Sequence, residues 1–359
     1  MNGERSRREF LTAGLAATRN GDSGSGQTDE ASLNLSDHQR SYLESYKKNA
    51  MACEFELLFN LHQYKNASAV ALNAFEMIDA LEDQMTVYRP TSEVTYINEH
   101  AAKETVDVEA GLCDLLELSA VIHKETAGAF DITSWPLSEL WGFSRRKGSV
   151  PHDDEIVSAL EAVSGSCVEL LEGGKVKFSK PEIKINLGGI GKGFALDRVV
   201  EKIEAQSIEN FVIHGGQSSV VARGKSLEAD GENVWKVGLS HPVKPGVRLA
   251  EISLSDSALG TSGTGRQGFF HQGKRYGHII DPRTGWPTDH FLSTTVVCES
   301  AARADALATA FFVMQLDEIG KFCQDDESVK AIIVLNDSGR QQTPIEVFNM
   351  YGDQIKIQG

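Results

Sequence analysis

The chain has 359 residues, enough for two average domains or one large one. Its 35 basic and 51 acidic side chains leave a net charge of −16, which argues against a sequence-blind nucleic-acid binder, because such a protein needs a basic face to neutralise phosphates. An apolar content of 41% supports a substantial core, yet no apolar run reaches the roughly 18 residues of a membrane helix.

The chain opens with Ser6-Arg7-Arg8-Glu9-Phe10-Leu11, a twin arginine before a short apolar stretch that Arg19 closes. This reads as an export address to the periplasm; the alternative is the frayed basic terminus of a cytoplasmic protein. Asn20 to Leu35 are rich in Gly, Ser, Asp and Glu and read as a disordered linker. Residues 1–40 are therefore set apart as leader and linker, and residues 41–359 as one folded domain. The five cysteines stand singly, with no C-x-x-C pair, so a disulfide scaffold or a cysteine zinc site is disfavoured and buried free thiols are expected.

Within the folded part, Met51 to Leu61 reads as a strand. Ala67 to Met85 reads as a helix, with Val70, Leu72, Phe75, Ile78, Leu81 and Met85 near a 3.6 period. Thr91-Ser92-Glu93 starts a short helix through Asn98, and Val108 to Thr126 forms a longer one stopped by Gly128. Acids after Pro151 open another helix. Strands are expected at Val176 to Phe178, Ile183 to Leu187, Phe211 to Ile213, Ser219 to Ala222, Trp235 to Leu239, Leu249 to Leu254, Thr294 to Cys298 and Ala331 to Leu335. Helices are expected from Phe194 to Ala205 and from Ala302 to Met314. This irregular alternation favours a mixed α/β layer fold (α+β layers) without a Rossmann rhythm.

Four stretches could carry chemistry, and each also has a plain structural reading. Asn186-Leu187-Gly188-Gly189-Ile190-Gly191-Lys192-Gly193 joins a strand to a helix, so its glycines would let backbone approach a ligand and Lys192 would add positive charge. Phe194 stands where a Walker A loop has its hydroxyl residue, so this is not that motif; a tight turn with a solvated lysine is the alternative. Asp305 and Thr309 are four apart on a helix and could share a hard cation with phosphate oxygens, or be a helix-start acid and a core threonine. His278 precedes the turn Asp281-Pro282-Arg283-Thr284-Gly285 and could accept a proton near neutral pH, with Asp281 orienting it or meeting the metal; a structural histidine is the alternative. Phe130 and Trp141 could flank a planar ring whose edge Asp131 contacts, or belong to an aromatic core.

Taken together, six segments in order resemble the ApbE family of FAD:protein FMN transferases. They are Met51-Ala52-Cys53; Tyr88-Arg89-Pro90 with Asn98; Ala129-Phe130-Asp131 through Trp141-Gly142-Phe143; the glycine-lysine loop; Thr261-Ser262-Gly263 leading to the His278–Gly285 turn; and Ala304 to Thr309. The resemblance implies a T-fold-like architecture. It also implies magnesium-dependent cleavage of the FAD pyrophosphate, with FMN attached to a Ser or Thr hydroxyl of a target flavoprotein and AMP released. Peripheral association with a membrane is open through that partner. By the same resemblance, FAD contacts fall on Met51, Tyr88, Asn98, Ala129, Phe130, Asp131, Asn186, Lys192 and Ile280. Metal ligands fall on the Gly189 carbonyl, Asp305 and Thr309, and the base on His278, with Lys192 and Asp281 beside it. The sequence departs from the family where Asn186 replaces the usual Asp, Gly191 a frequent Ala, Ala52-Cys53 a Gly-Thr, and Ala308 an acid found in some members. An FAD pyrophosphatase giving FMN and AMP, or a non-catalytic flavin-binding protein, are the competing readings; a carrier needs neither His278 nor the Asp305–Thr309 pair.

Overall fold

The computed structural model describes residues 42–227, 234–244, 246–265, 267–336 and 343–358; the leader and linker lie outside them. In chain order the strands are β1 (Leu43–Ala50), β2 (Cys53–Asn60), β3 (Val106–Asp107), β4 (Val168–Leu171), β5 (Lys175–Phe178), β6 (Phe211–Gly215), β7 (Ser219–Arg223), β8 (Trp235–Ser240), β9 (Arg248–Leu254), β10 (Ser257–Gly263), β11 (Gly268–His271), β12 (Lys274–Gly277), β13 (Phe291–Cys298), β14 (Lys330–Leu335), β15 (Ile345–Phe348) and β16 (Ile355–Ile357). The α-helices are α1 (Ala67–Met85), α2 (Glu93–His100), α3 (Ala110–Glu125), α4 (Trp135–Leu140), α5 (Asp153–Leu160), α6 (Gly191–Glu204), α7 (Ala301–Val313) and α8 (Leu316–Asp325).

Eight strands form one sheet in the order β1-β2-β6-β7-β10-β13-β14-β15, every neighbouring pair antiparallel. Its strands are apolar on both faces because both are covered. Phe55, Leu57, Phe59, Phe211 and Ile213 face α1 and α6, while Leu58, Val212, Val220, Val297 and Ile332 face the small sheet β16-β9-β8. Helix α7 is buried on nearly every side, which suits a helix enclosed between the sheet and its neighbours. The expected mixed α/β layering is what the chain adopts. Among the described residues no helix is long and apolar enough to cross a membrane. All five cysteines are free, and only Cys53 is not fully buried.

Two expected strands are corrected. Met51 is not strand: with Ala52 it makes the two-residue turn of the β1–β2 hairpin, both in the left-handed region (φ 48° and 59°), and Ala50 pairs with Cys53 across it. Ile183 to Leu187 forms no strand and joins no ladder. The Asn98 side chain occupies it instead, donating from Nδ2 to the Ile185 carbonyl at 3.0 Å and accepting from the Ile185 amide at 2.7 Å. The Asn186 amide then donates to the Ile132 carbonyl at 2.7 Å.

Candidate functional site

The glycine loop and α7 meet because two glycines permit it. A methyl on Gly193 would lie 2.1 Å from the Ala301 carbonyl oxygen, and one on Gly260 would lie 2.5 Å from backbone atoms of Ala304. Helix α6 contributes a second tie. The Asp197 carboxylate accepts from the Ala301 and Ala302 amides at 2.8 and 2.9 Å and from Ser300 Oγ at 2.8 Å, so one acid caps the start of α7. One turn further on, Asp305 is buried with its carboxylate accepting from Ser219 Oγ at 2.7 and 2.9 Å and from the Gly193 amide at 2.8 Å. Burial pushes its pKa up against the opposing pull of Lys192, Ser219 and the Gly193 amide.

Thr309 Oγ1 donates to the Asp305 carbonyl at 3.1 Å and lies 3.1 Å from Ser262 Oγ. Gly189 faces it, since a Cβ there would sit 3.7 Å from Thr309 Oγ1. Asp305, Thr309 and Gly189 thus lie on the wall of one cavity of about 290 Å³. No cluster of three or more His, Cys, Asp or Glu that could hold a metal occurs among the described residues. One carboxylate with neutral oxygen donors suits a hard divalent cation that shares its shell with phosphate oxygens and water, and not zinc.

Most amides of the glycine turn are already engaged. The Gly188 amide donates to Asn186 Oδ1 at 2.8 Å, those of Ile190 and Gly191 to the Leu187 carbonyl, and that of Gly193 to Asp305. The Gly193 amide is therefore spent on Asp305 and is not free to meet a ligand anion. Lys192 carries the positive charge here and borders the 290 Å³ cavity and a second one of about 270 Å³. The two cavities share Asn186, Gly188 and Lys192.

His278 lines the first cavity too. Its Nδ1 lies 3.3 Å from the Gln267 carbonyl. Burial lowers its pKa, the charges of Arg275 and Lys192 add to that, and the Gln267 hydrogen bond opposes it. Asp281 does not orient this ring. Its carboxylate is held by Arg283 through the backbone amide, Nε and Nη2, each at 2.9 Å, and it fixes the turn instead.

The remaining expected contacts divide. Ala129, Phe130, Asn186 and Ile280 line the first cavity, and Met51 and Tyr88 line the second. Asp131 borders the first cavity, but its carboxylate accepts from the Thr133 amide and hydroxyl and the Gly165 amide at 2.6–2.9 Å. Asn98 lines neither of these two cavities, because its amide is spent on Ile185. Trp141 is fully buried, donates to the Gly285 carbonyl at 2.9 Å, and belongs to a core with Leu137, Ile156 and Ile280. It cannot flank a ligand ring. Trp135 takes that place on the cavity wall, edge-on to Tyr88 with ring centroids 5.9 Å apart.

A family model described as the ApbE family matches residues 51–333. The chain belongs to the ApbE family. It is 33% identical over 268 residues to a FAD:protein FMN transferase of Vibrio cholerae, covering 73% of this chain and 78% of that one. It is 30% identical over 265 residues to one of Haemophilus influenzae, covering 71% and 75%. Among solved structures, the ApbE protein of Thermotoga maritima superposes with a TM-score of 0.74 at 29% identity, over 85% of this chain and 96% of that one. The flavin transferase ApbE of Vibrio cholerae gives 0.74 at 25% identity, over 85% and 96%.

In this ApbE chain the sequence reading missed Ser218, Ser219, Ser262 and Trp135 as site residues. The signal for the serines was present in Gly215-Gly216-Gln217-Ser218-Ser219, where a buried strand runs into small polar residues. Gly216 and Gln217 both take positive φ, 63° and 64°, which turns the hairpin so that Ser219 meets Asp305.

Proposed function

We propose that this ApbE chain is an FAD:protein FMN transferase. It splits the FAD phosphoanhydride, joins the FMN phosphorus to a Ser or Thr hydroxyl of a flavoprotein, and releases AMP. The observation that carries this reading is the convergence on one cavity of Lys192, the Asp305–Thr309–Gly189 oxygen donors and an uncharged-leaning His278. The names of the relatives point the same way.

A dinucleotide suits two cavities joined at Asn186, Gly188 and Lys192, with one aromatic end in each and the diphosphate beside the lysine. Trp135 and Phe130 supply ring contacts on one side, Tyr88 and Met51 on the other. Magnesium held by Asp305, Thr309 and the Gly189 carbonyl would supply charge neutralisation at the diphosphate. Lys192 draws the diphosphate oxygens and stabilises charge on the departing phosphate. Ser219 and the Gly193 amide hold the Asp305 carboxylate in one orientation. His278 takes the hydroxyl proton as the oxygen–phosphorus bond forms and the bond to AMP breaks, and its depressed pKa keeps it unprotonated for that task.

The test is co-expression of the chain with a covalent-flavin subunit, followed by mass spectrometry for added FMN and quantification of AMP. Transfer is expected. His278→Ala should lower it about 10²–10⁴-fold with FAD affinity retained. Free FMN with no covalent product would make the chain a pyrophosphatase, and FAD retention with no AMP a carrier.

A further inference from the structure

His278 has two cavities beside it. Together with Gly263 and Ile279 it also borders a third cavity, of about 520 Å³, which Asp305, Thr309 and Lys192 do not line. One wall of that cavity is strand β12, through Lys274, Arg275 and Gly277, and Val243, Thr288 and Asn336 stand around it. The hairpin register pairs His271 with Lys274 across a two-residue turn and continues to Gly268 opposite Gly277. Backbone groups along a strand point alternately to its two sides, so those of Lys274 and Tyr276 serve the hairpin while those of Arg275, Gly277 and Ile279 point away from it. Ile279 bears this out, since its carbonyl accepts from the Thr288 amide at 3.1 Å. Arg275 and Gly277 lie next along the same edge, facing the cavity, and no strand pairs with that edge among the described residues.

We propose that the acceptor flavoprotein's hydroxyl-bearing segment binds in extended form in this third cavity, as an added strand on the outer edge of β12. There it would deliver its Ser or Thr to His278 from the side opposite the dinucleotide. The inference rests on the transferase reading and names how that reading's protein substrate is held. In-line displacement at phosphorus needs attacker and leaving group on opposite sides, and a base in the wall between two cavities meets that need. Main-chain pairing gives affinity without requiring a particular side chain, and the alternate side chains of the segment meet the cavity walls. Phe270, three-quarters exposed and cross-strand to Arg275 on the same hairpin face, offers an apolar rest for the body of the acceptor.

The probe is the subunit that the wild-type chain labels in co-expression, used as labelled substrate and in a form with its hydroxyl residue replaced by alanine. Gly277→Phe places a ring in the cavity from a position where a Cβ meets nothing closer than 3.9 Å, and Val243→Asp alters the exposed rim. Each should raise the KM for the subunit at least tenfold, with the Kd for FAD within twofold. The alanine form of the subunit should slow amide exchange of the peptide spanning Lys274–His278 in the wild-type enzyme. Should either variant misfold, the exchange measurement decides alone. Unchanged KM in folded variants, or no protection of that peptide in a complex that forms, overturns the docking edge and leaves the transferase reading standing. Absence of transfer by the wild type to any subunit overturns both.

Discussion

Gly193 and Gly191 lie two residues apart at the start of one helix, and the same substitution should have opposite consequences at each. A Cβ on Gly193 would stand 2.1 Å from the Ala301 oxygen and 2.4 Å from its carbonyl carbon, at least 1 Å short of ordinary contact at 3.4 Å and beyond. Both obstacles are backbone, so the start of α7 must move. That start is held by Asp197 through three hydrogen bonds of 2.8–2.9 Å, which a shift of this size would stretch. Overpacking of this kind costs about 1–3 kcal/mol, and a weakened bond to a charged group roughly 1.5–3 kcal/mol more. Gly193→Ala should therefore lose about 2.5–6 kcal/mol, a fall of about 5 °C or more in Tm. Because Asp305 rides on the same helix, a displacement near 1 Å should also lower transfer on the order of 10²-fold. A Cβ on Gly191 meets nothing closer than 3.7 Å, so Gly191→Ala should be neutral or stabilise by up to about 1 kcal/mol. Thermal unfolding of both variants, with covalent flavin counted on the acceptor, reads the contrast. A Gly193→Ala variant as stable and active as the wild type would refute the account of how α6 and α7 meet, as would a Gly191→Ala variant equally damaged.

Other perturbations test separate parts of the molecule. Ala52→Gly removes a side chain from the left-handed turn at φ 59° and should stabilise by about 1 kcal/mol; an unchanged or lower Tm would mean the turn is not strained. If His278 acts unprotonated as proposed, then, since burial pushes its pKa below the usual 6.5, transfer should hold steady through neutral pH and fall only on the acid side of 6.5; a limb at or above that value contradicts its role as base. Glu56 is buried against His214 at 3.0 Å. Burial alone would raise its pKa, but hydrogen bonds from His214 and Ser45 and the charges of His214 and Lys47 bring it down to about 2. Its folded pKa is below the unfolded value, so this stabilisation, about 3 kcal/mol, is present above pH ~4.5 and lost as pH falls toward 2. Glu56→Gln should accordingly lag the wild type in urea at neutral pH and draw level near pH 2–3; a constant gap would exclude the linkage.

Elements with one dominant period were legible from the sequence. Helix α1 spans Ala67–Met85 as its apolar spacing indicates, and Ser92 caps α2 by accepting from the Thr95 amide. Strand β1 was not legible, because Leu43–Ala50 is mostly polar and alternates half-buried with exposed positions. Nor was β10, whose Ser-Ala-Leu-Gly-Thr-Ser-Gly sequence carries little apolar signal, although it runs through the middle of the main sheet. Its small residues are there for proximity: at Gly260 any side chain would strike α7. Within the site, Lys192, His278, Asp305 and Thr309 were legible as chemistry-bearing types, and they do share a cavity. The fates of Asp131, Asp281, Asn98 and Trp141 were not, because each is decided by a bonding partner. Asp281 has its partner two residues away in Arg283, while Asn98 and Trp141 find theirs 87 and 144 residues along the chain.

The same long-range bonding explains why so spare a donor set can suffice on the proposed reading. Asp305 reaches Gly193 across 112 residues and Ser219 across 86, so its carboxylate is fixed before any ligand arrives. Thr309 and Ser262 add oxygen but no charge. One carboxylate offsets only half the charge of a divalent cation, and Lys192 stands nearby to reduce even that. The balance must come from the diphosphate, so cation and dinucleotide would each complete the site for the other, and neither would be held firmly alone. Ala308 fits this economy. It is fully buried and does not line the first cavity, its carbonyl accepts from Thr294 Oγ1 at 2.7 Å and ties α7 to β13, and it brings no further charge to the site.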